Sequence, residues 1–318
     1  MTIMPINSPP IIYLDQNAWI ALAKVKWKKE EDPSLVAAYE KVLKATDMGK
    51  ALFPLSIVNI FETLTRIEPE SRKRLAKFMI DISKGSTICP YLTVTEVEMR
   101  NAVRKRAGIS ENSIIPIGQG IGHALGSKPE IVGEIDETLK KELINLVVSP
   151  ETLLWLLSKQ ELAERLHTHG KENAAKIEEI RKKDFAEMPD PELRKRVCIA
   201  RAMRDLISRP ICKYCLDAQI PIEKIIPHGV TQTDLLDLFK DCKTAYTLHT
   251  LSYRRDQHRD KPVAENDLND ISALAMAIPY CDIVVTENFW TNIARHEKLD
   301  SIYKTVVLDS AVDLIQYL

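Results

Sequence analysis

The sequence predicts an α/β fold: a parallel sheet between helices in an α/β/α sandwich, with a mostly α-helical insertion. Three observations lead to it. Apolar β-rich runs alternate with segments of helical periodicity over residues 10–107. The same alternation resumes at about residue 265, and the intervening sequence is largely helical in pattern. We therefore expect one α/β domain in two halves, residues 1–107 and 262–318, separated by an insertion at 108–261.

The first half is predicted to contain three strands, each followed by helical sequence. The expected strands are PIIYLD at 10–15, ALFPL at 51–55 and TICPYL at 87–92. The expected helices are at 18–29, 33–48, 56–67, 71–83 and 93–108. Asp15 ends the first strand and Glu62 lies in the third helix. The helix at 18–29 has a basic tail, and the helix at 71–83 is strongly basic.

The insertion has a different pattern. Residues 108–126 resemble a loop and hold half of the 10 glycines, whereas residues 129–250 are mainly helical. Gly118, Gly120 and Gly122 follow an apolar run and suggest a dinucleotide-binding GxGxxG motif. That motif needs its third glycine at position 123, where this chain has His123. We therefore expect no nucleotide site there.

The second half begins with an acidic helix start. Glu265, Asp267 and Asp270 precede an apolar segment that ends near residue 278. The strand DIVVT at 282–286 follows and leads into Glu287 and Asn288. A further helix, the strand TVVLD at 305–309 and a closing helix at 310–318 complete the pattern.

Composition limits the functional classes. The net charge is -1, so nucleic-acid binding would need local basic patches rather than a global field. The chain has no apolar run of transmembrane length, and its first residues have no cationic region typical of a signal peptide. Six scattered cysteines show no disulfide framework, which favours a reduced, cytoplasmic setting without membrane partners.

Five carboxylates lie at strand ends or at the starts of nearby helices. They are Asp15, Glu62, Asp267, Asp270 and Glu287. The carboxyl ends of parallel strands meet at one edge of a sheet, and gathered carboxylates are suitable ligands for Mg²⁺ or Mn²⁺. The alternative for each residue is a helix cap or a partner of the helix dipole. The joint placement favours a metal site.

IIYLDQNAWI, FETLT and DISALAMAIPYCDIVVTENFW together resemble a PIN-like nuclease domain, over about residues 9–92 and 262–318. Asp15 matches the family's first acidic position and Glu62 the second. Asp270 best matches the third, with Asp267 as an additional or alternative ligand. At the fourth position the chain has Thr286-Glu287-Asn288, so either Glu287 acts one residue early or Asn288 replaces the acid.

The resemblance implies a divalent-metal-dependent endonuclease, most often an endoribonuclease. A metal-bound water would attack the phosphodiester and leave 5′-phosphate and 3′-hydroxyl ends. All five carboxylates would serve as catalytic metal ligands, with RNA as the substrate. Many members of the family are toxins or nucleic-acid-processing enzymes, so a homodimer and an antitoxin or other partner protein are also expected.

Basic residues before the acidic helix start are candidates for contacts with phosphate. Arg255, Arg259 and Lys261 lie there, although a solvated charged loop explains them equally well. Neighbours of the acidic positions complete the candidate substrate-binding set: Asn17, Thr286 and Asn288.

Three alternatives remain at this stage. The chain could be a catalytically weak PIN-like scaffold that binds RNA or a protein through the insertion. A phosphatase with Asp15 as nucleophile is disfavoured, because Asn17 stands where the D-x-D motif needs its second acid. Cys212 and Cys215 have zinc-like spacing without an evident second pair, so buried thiols are favoured over zinc.

Overall fold

The structure is a computed structural model that describes residues 8–66, 68–127, 136–157, 161–206, 210–229, 231–258 and 260–318. The chain divides into two compact units. The sheet unit comprises Met1–Pro90, Ile117–His169 and Met276–Leu318, and the helical unit comprises Tyr91–Pro116 and Gly170–Ala275. These units do not test the domain boundaries expected after residues 107 and 261, which stay a prediction.

All five strands belong to the sheet unit. They are β1 (Ile12–Leu14), β2 (Ser86–Ile88), β3 (Ile117–Gln119), β4 (Ile283–Val285) and β5 (Val306–Leu308). Parallel pairing joins β1 to β4 and β4 to β5, so the strand order is β1-β4-β5. β2 and β3 form a separate antiparallel pair. The predicted class, a mixed α/β fold with a parallel sheet, is therefore confirmed.

The predicted strand at 51–55 is reduced to two single bridges. Leu52 pairs in parallel with Ile11, and Leu55 pairs in parallel with Thr87. Pro54 lies between them and has no backbone N–H to donate, so a continuous ladder cannot form there. The segment nevertheless bridges toward both β1 and β2.

Nine helices lie within the described part of the sheet unit. They are α1 (Gln16–Lys26), α2 (Pro33–Asp47), α3 (Ile57–Leu64), α4 (Pro69–Ser83), α6 (Gly120–Ala124), α7 (Glu137–Val148), α8 (Pro150–Leu157), α15 (Asn288–His296) and α16 (Leu299–Tyr303). Local capping explains several starts. Asp32 accepts from the backbone N–H groups of Ser34 and Leu35 before α2, and Ser56 forms a capping box with Asn59 before α3.

Three expectations for this unit need correction. The strand expected at 87–92 ends at Ile88, and Tyr91 already begins a helix after Pro90. The loop-like stretch 108–126 contains β3 and α6. The closing helix at 310–318 is a 3₁₀ helix over Ala311–Gln316, which packs mainly against α2. Short polar and proline-interrupted segments carry weak periodicity, which explains these errors.

Gly118 and Gly120 lie in close contact with neighbouring residues. A Cβ at Gly118 would lie 2.4 Å from the ring of His123, and one at Gly120 would lie 2.4 Å from Cα of Val148. Gly120 also has a φ of +75°, which glycine adopts without strain. His123 is fixed by the hydroxyl of Thr87, 3.0 Å from its Nδ1. Close packing thus accounts for the glycines at positions 118 and 120.

A hydrophobic core of the sheet unit packs beside β1, β4 and β5. Trp19 and Leu22 of α1 are fully buried, and Trp19 meets Phe78 of α4 edge to face with ring centroids 6.0 Å apart. Each such buried side chain stabilises the unit by about 1.5–3 kcal/mol. The apolar face of α1 is thereby fixed, which also fixes the residue that caps its start.

Five helices lie within the described part of the helical unit. They are α5 (Tyr91–Arg106), α10 (Pro191–Leu206), α11 (Cys212–Asp217), α12 (Gln232–Asp241) and α13 (Lys243–Asp256). The division between the units falls within α9 (Glu161–Glu187) and α14 (Glu265–Tyr280). Glu98 of α5 is buried and accepts from the backbone N–H and the hydroxyl of Thr244, so it caps α13 from another helix.

In the part of the chain that the structure describes, no helix is long and apolar enough to span a bilayer.

Candidate functional site

A cavity of about 540 Å³ lies at the carboxyl ends of the three parallel strands. Each strand runs into a polar residue at this edge: Asp15 after β1, Thr286 and Glu287 after β4, and Asp309 after β5. Asn17 of α1 lines the same cavity. Two of the five predicted acidic residues, together with two predicted neighbours, therefore meet in one place.

Asp15 is the most buried acid of this cavity, with 9% of its surface exposed. Its backbone N–H donates to Val285 O at 3.0 Å, and its Oδ1 accepts from the N–H of Ala18 at 2.8 Å. It therefore continues the β1 ladder by one bond and caps α1. These two contacts hold the carboxyl group at the cavity wall.

Burial, with a smaller contribution from the negative charge of Glu287, raises the pKa of Asp15 to about 6. Hydrogen bonds from the N–H of Ala18 and the hydroxyl of Thr286 act in the opposite direction. No described lysine, arginine or histidine forms an ion pair with Asp15. The site therefore has a negative charge whose desolvation is only partly compensated.

Glu287 is the acid of the triplet Thr286-Glu287-Asn288, and this residue lines the cavity. Asn17 donates from Nδ2 to Glu287 Oε1 at 2.5 Å. Asn288 is not part of the lining, and its Oδ1 accepts instead from Asn292 at 2.9 Å. The geometry thus favours Glu287 over Asn288 as the acidic member from this strand.

Three further acids line the cavity that sequence reasoning did not select: Glu30, Asp32 and Asp309. Glu30 and Asp32 accept bonds from nearby backbone N–H groups, whereas the exposed carboxylate of Asp309 bonds to none of the described residues. The signal for Asp309 was present, because TVVLD repeats the pattern of PIIYLD, an apolar strand that ends in Asp.

Glu62 lies on α3, half-buried, and is not among the residues that line the cavity. The adjoining residue Thr63 accepts from Gln16 Nε2 at 3.0 Å, and Asn59 donates to Leu14 O at 3.4 Å. α3 therefore contacts the end of β1 and the start of α1 through Asn59 and Thr63.

Asp267 and Asp270 belong to the helical unit, at the start of α14. Asp267 is 4% exposed, and both of its oxygens have partners. Arg255 bonds Oδ2 through Nε at 2.9 Å and also through Nη2, and Lys261 Nζ lies 3.4 Å from Oδ1. The N–H of Ala264 donates to Oδ2 at 3.0 Å, which caps the helix.

These contacts favour structural roles for Asp267 and Arg255. Arg255 is 1% exposed, and its remaining donors reach the carbonyl groups of Lys261 and Pro262. Asp270 is half-buried in the next turn of α14. Lys261 is exposed, and Arg259 lies outside the described residues. The predicted phosphate contacts of Arg255, Arg259 and Lys261 stay predictions.

The cavity residues provide oxygen ligands of the kind that hard divalent cations prefer. Within the described ranges, no three His, Cys, Asp or Glu side chains are arranged to hold one ion together. Asp15, Glu287 and Asp309 line one cavity, and an ion such as Mg²⁺ can bind one or two carboxylates directly and keep several waters. The burial of Asp15 is only partly compensated by its hydrogen bonds, and a nearby cation would stabilise its charged form.

Cys212 and Cys215 lie on α11 in the helical unit. Cys212 is exposed, whereas Cys215 is 2% exposed and packs in the core of that unit. Burial raises the pKa of the Cys215 thiol, and the neighbouring Cys212 raises it further. Cys215 therefore has the environment of a buried, protonated thiol.

Comparisons of the chain with models of protein families, with curated proteins and with solved structures find no match.

Proposed function

We propose that the protein is a divalent-metal-dependent endonuclease whose preferred substrate is RNA, and that the cavity of the sheet unit is its active site. One observation carries the proposal: three parallel strands end side by side in acidic residues, and the most buried of these, Asp15, has a pKa near 6 without a cationic partner among the described residues. Such a perturbed acid in a concave site is typical of a functional centre.

Asp15, Glu287 and Asp309 are the residues that would hold Mg²⁺ or Mn²⁺ in the cavity. A bound ion of this kind lowers the pKa of its water and stabilises negative charge on a phosphate. Thr286 keeps Asp15 oriented through its hydroxyl group, and Asn17 keeps Glu287 oriented through its amide. Both neighbours also present polar groups to a substrate in the cavity.

The proposal extends the observed α/β class to a PIN-like α/β/α sandwich with a helical insertion. It is supported by the order of the acidic positions along the chain and by the placement of Asp15 and Glu287 at neighbouring strand ends. Metal-ligand roles for Glu62, Asp267 and Asp270 remain part of the proposal, to be tested by substitution. A cytoplasmic setting, a homodimer and an antitoxin-like partner protein also remain proposals.

The test is cleavage of a labelled RNA by the purified protein with Mn²⁺, with Mg²⁺ and with EDTA. Asp15→Asn is expected to reduce the rate at least 100-fold, because the deeper acid of the site is removed. The variants Glu287→Gln, Asp309→Asn, Asp267→Asn, Asp270→Asn and Glu62→Gln show which other acids contribute. End analysis of the products should find 5′-phosphates and 3′-hydroxyls.

Asp282→Asn is the matched control. Asp282 precedes β4, at the opposite end of the strand from Glu287, and its Oδ2 accepts from the N–H of Ile11 at 2.7 Å. Like Asp15→Asn, this variant replaces an aspartate beside the parallel sheet by asparagine, and it keeps an oxygen that can accept the hydrogen bond. Cleavage that survives Asp15→Asn, or that Asp282→Asn abolishes equally, would contradict the proposal.

The second candidate is a PIN-like scaffold that binds RNA or a protein without cleaving RNA. It is favoured by the absence, among described residues, of a three-ligand metal cluster. Calorimetric titration with Mn²⁺ separates the two functions. The scaffold predicts no saturable Mn²⁺ binding that depends on Asp15, whereas the nuclease predicts binding that Asp15→Asn removes.

A further inference from the structure

The sheet unit carries a surface of exposed cations around an exposed indole, at the end of α1 and the middle of α4. This basic–aromatic surface consists of Lys24, Trp27, Lys28, Lys29, Arg74 and Lys77. All six side chains are exposed, and Trp27 has 37% of its surface accessible. Trp27 thus gives this group of cations an aromatic ring that solvent can reach.

Contacts at Trp27 bring the two helices together. The Arg74 guanidinium lies 5.6 Å from the centroid of the Trp27 ring, and Lys26 Nζ lies 5.7 Å from it. Lys77 follows Arg74 by one turn of α4, so the two share a helix face. The face of α4 that carries Arg74 and Lys77 therefore adjoins the Trp27 ring at the end of α1.

The charge of this surface is not neutralised by ion pairs. None of its five cations lies within 4 Å of a carboxylate among the described residues. Neighbouring cations are paired: Lys26 bonds Asp81 at 2.8 Å, and Lys73 lies 3.3 Å from Glu70. The five cations of the surface thus carry positive charge that no described carboxylate pairs directly, in a chain of net charge -1.

A structural role explains only part of the set. Lys24 is in the last turn of α1, and Lys28 and Lys29 fold back over the helix end, with the Lys29 N–H bonded to Lys24 O at 2.9 Å. Cations at the C-terminal end of a helix interact favourably with the helix dipole. That role does not extend to Arg74 and Lys77 in the middle of α4, nor to the exposed ring of Trp27.

α1 links this surface to the cavity. Asn17 and Ala21 line the cavity, and Lys24 is one turn beyond Ala21 on the same helix face. The rise from Asn17 to Lys24 is about 10 Å at 1.5 Å per residue. A strand whose phosphates reach the cavity can therefore contact the basic–aromatic surface within a few nucleotides.

We infer that the basic–aromatic surface binds single-stranded nucleic acid, with its cations on the phosphates and Trp27 against a base. Exposed cations beside an aromatic side chain are the combination that unpaired strands require, since phosphates supply charge and unstacked bases supply an apolar face. The inference rests on the proposed function in one respect: the bound strand is taken to be the substrate that is cleaved in the cavity. Binding itself requires no cleavage.

The test is fluorescence anisotropy with a short labelled single-stranded RNA, in EDTA so that metal-dependent cleavage is absent, over a series of salt concentrations. Removing two phosphate contacts with Arg74→Ala/Lys77→Ala should make the slope of log K against log salt shallower by about 1.4. Trp27→Ala should weaken binding roughly tenfold, and Trp27→Phe should restore most of that loss.

Lys171→Ala/Lys176→Ala is the matched control, because it removes from α9, in the helical unit, two exposed cations that form no ion pair with a described carboxylate. The inference is overturned if wild-type protein binds no single strand at low salt. It is also overturned if Arg74→Ala/Lys77→Ala leaves affinity and salt slope unchanged, or if the control weakens binding equally. Tighter binding of an RNA duplex of equal length would likewise overturn it.

DNA of the same sequence distinguishes the two sources of a single strand, and either one bound through this surface supports the inference. Failure of the proposed function has a separate signature. If the surface variants weaken binding but no protein cleaves RNA with Mn²⁺, the surface stands and the nuclease proposal fails. If Asp15-dependent cleavage is present while the surface variants bind as wild type does, the nuclease proposal stands and the surface is rejected.

Discussion

At the scale of single residues, Asp15 combines a structural and a chemical role. It caps α1 through Ala18, and it holds a carboxyl group at the cavity wall with burial and Glu287 both opposing ionisation. In the folded protein its pKa is about 6, against 3.8 as the ordinary value. Ionised Asp15 therefore makes folding less favourable at neutral pH unless a cation compensates.

Asp15→Asn is accordingly expected to stabilise the metal-free protein at pH 7.5, by about 2–3 kcal/mol. Asn is neutral and keeps an acceptor for the Ala18 N–H. The pKa of Asp15 is higher in the folded than in the unfolded protein. The wild type therefore loses stability as the pH rises from about 4 to about 6. The advantage of the variant should thus vanish near pH 4. Urea unfolding in EDTA at several pH values measures it.

Two comparisons keep this result specific. Burial also raises the pKa of Asp256 to about 6, with Arg255 and Arg181 opposing that effect, but Asp256 titrates in both proteins and cancels in their difference. Asp282→Asn should show no comparable gain. A variant Asp15→Asn that is less stable than wild type at pH 7.5 would show that the carboxylate is already compensated in the apo protein.

At the scale of elements, the start of α14 depends on a buried ion pair. Asp267 accepts from Ala264 and from Arg255, and Arg255 also bonds two carbonyl groups before the helix. Burial alone would raise the pKa of Asp267, but the N–H of Ala264 and the guanidinium of Arg255 hold it below its ordinary value. The pair therefore contributes stability above about pH 4, which is lost as the acid protonates.

Arg255→Ala should destabilise the protein by about 3–5 kcal/mol, because it leaves a buried carboxylate without its main partner. Chemical unfolding at pH 7.5 measures this loss. The control is Arg201→Ala, which removes a more exposed arginine paired with Asp184 and should cost less than about 1 kcal/mol. Normal stability with loss of RNA binding in Arg255→Ala would instead favour the phosphate contact predicted from sequence.

Sequence reasoning at this scale succeeded where the signal is local. The ends of β1 and β4 were predicted from short β-branched runs, and both place an acid at the cavity. It missed Asp309, although that strand has the same form. The ion pair between Asp267 and Arg255 was not foreseen, because that arginine comes from α13 and no spacing on α14 reveals it. The ligand role of Asp267 stays a prediction.

At the scale of the whole molecule, the helical unit is held by contacts between distant parts of the chain. Glu98 caps α13 through Thr244, 146 positions later, and Glu178 accepts from the N–H of Val263. Helical periodicity predicted the helices of the insertion but contains no information on such pairs. This is why the sequence predicts the class of the fold, while the grouping of α5 with the later helices emerges only in three dimensions.

Metal binding should be visible in the unfolding of the whole molecule, because a ligand that binds only the folded state raises its stability. At a free Mn²⁺ concentration 100 times the dissociation constant, the expected gain is about 2.7 kcal/mol. Protons compete for Asp15, whose pKa is about 6, so the gain should be larger at pH 7.5 than at pH 5. Thermal unfolding of wild type and Asp15→Asn at both pH values measures it. Equal stabilisation of the two proteins by Mn²⁺ at both pH values would mean that the ion binds away from Asp15. A gain confined to wild type at pH 7.5 would mean that the ionised carboxylate of Asp15 favours folding once the bound ion compensates its charge.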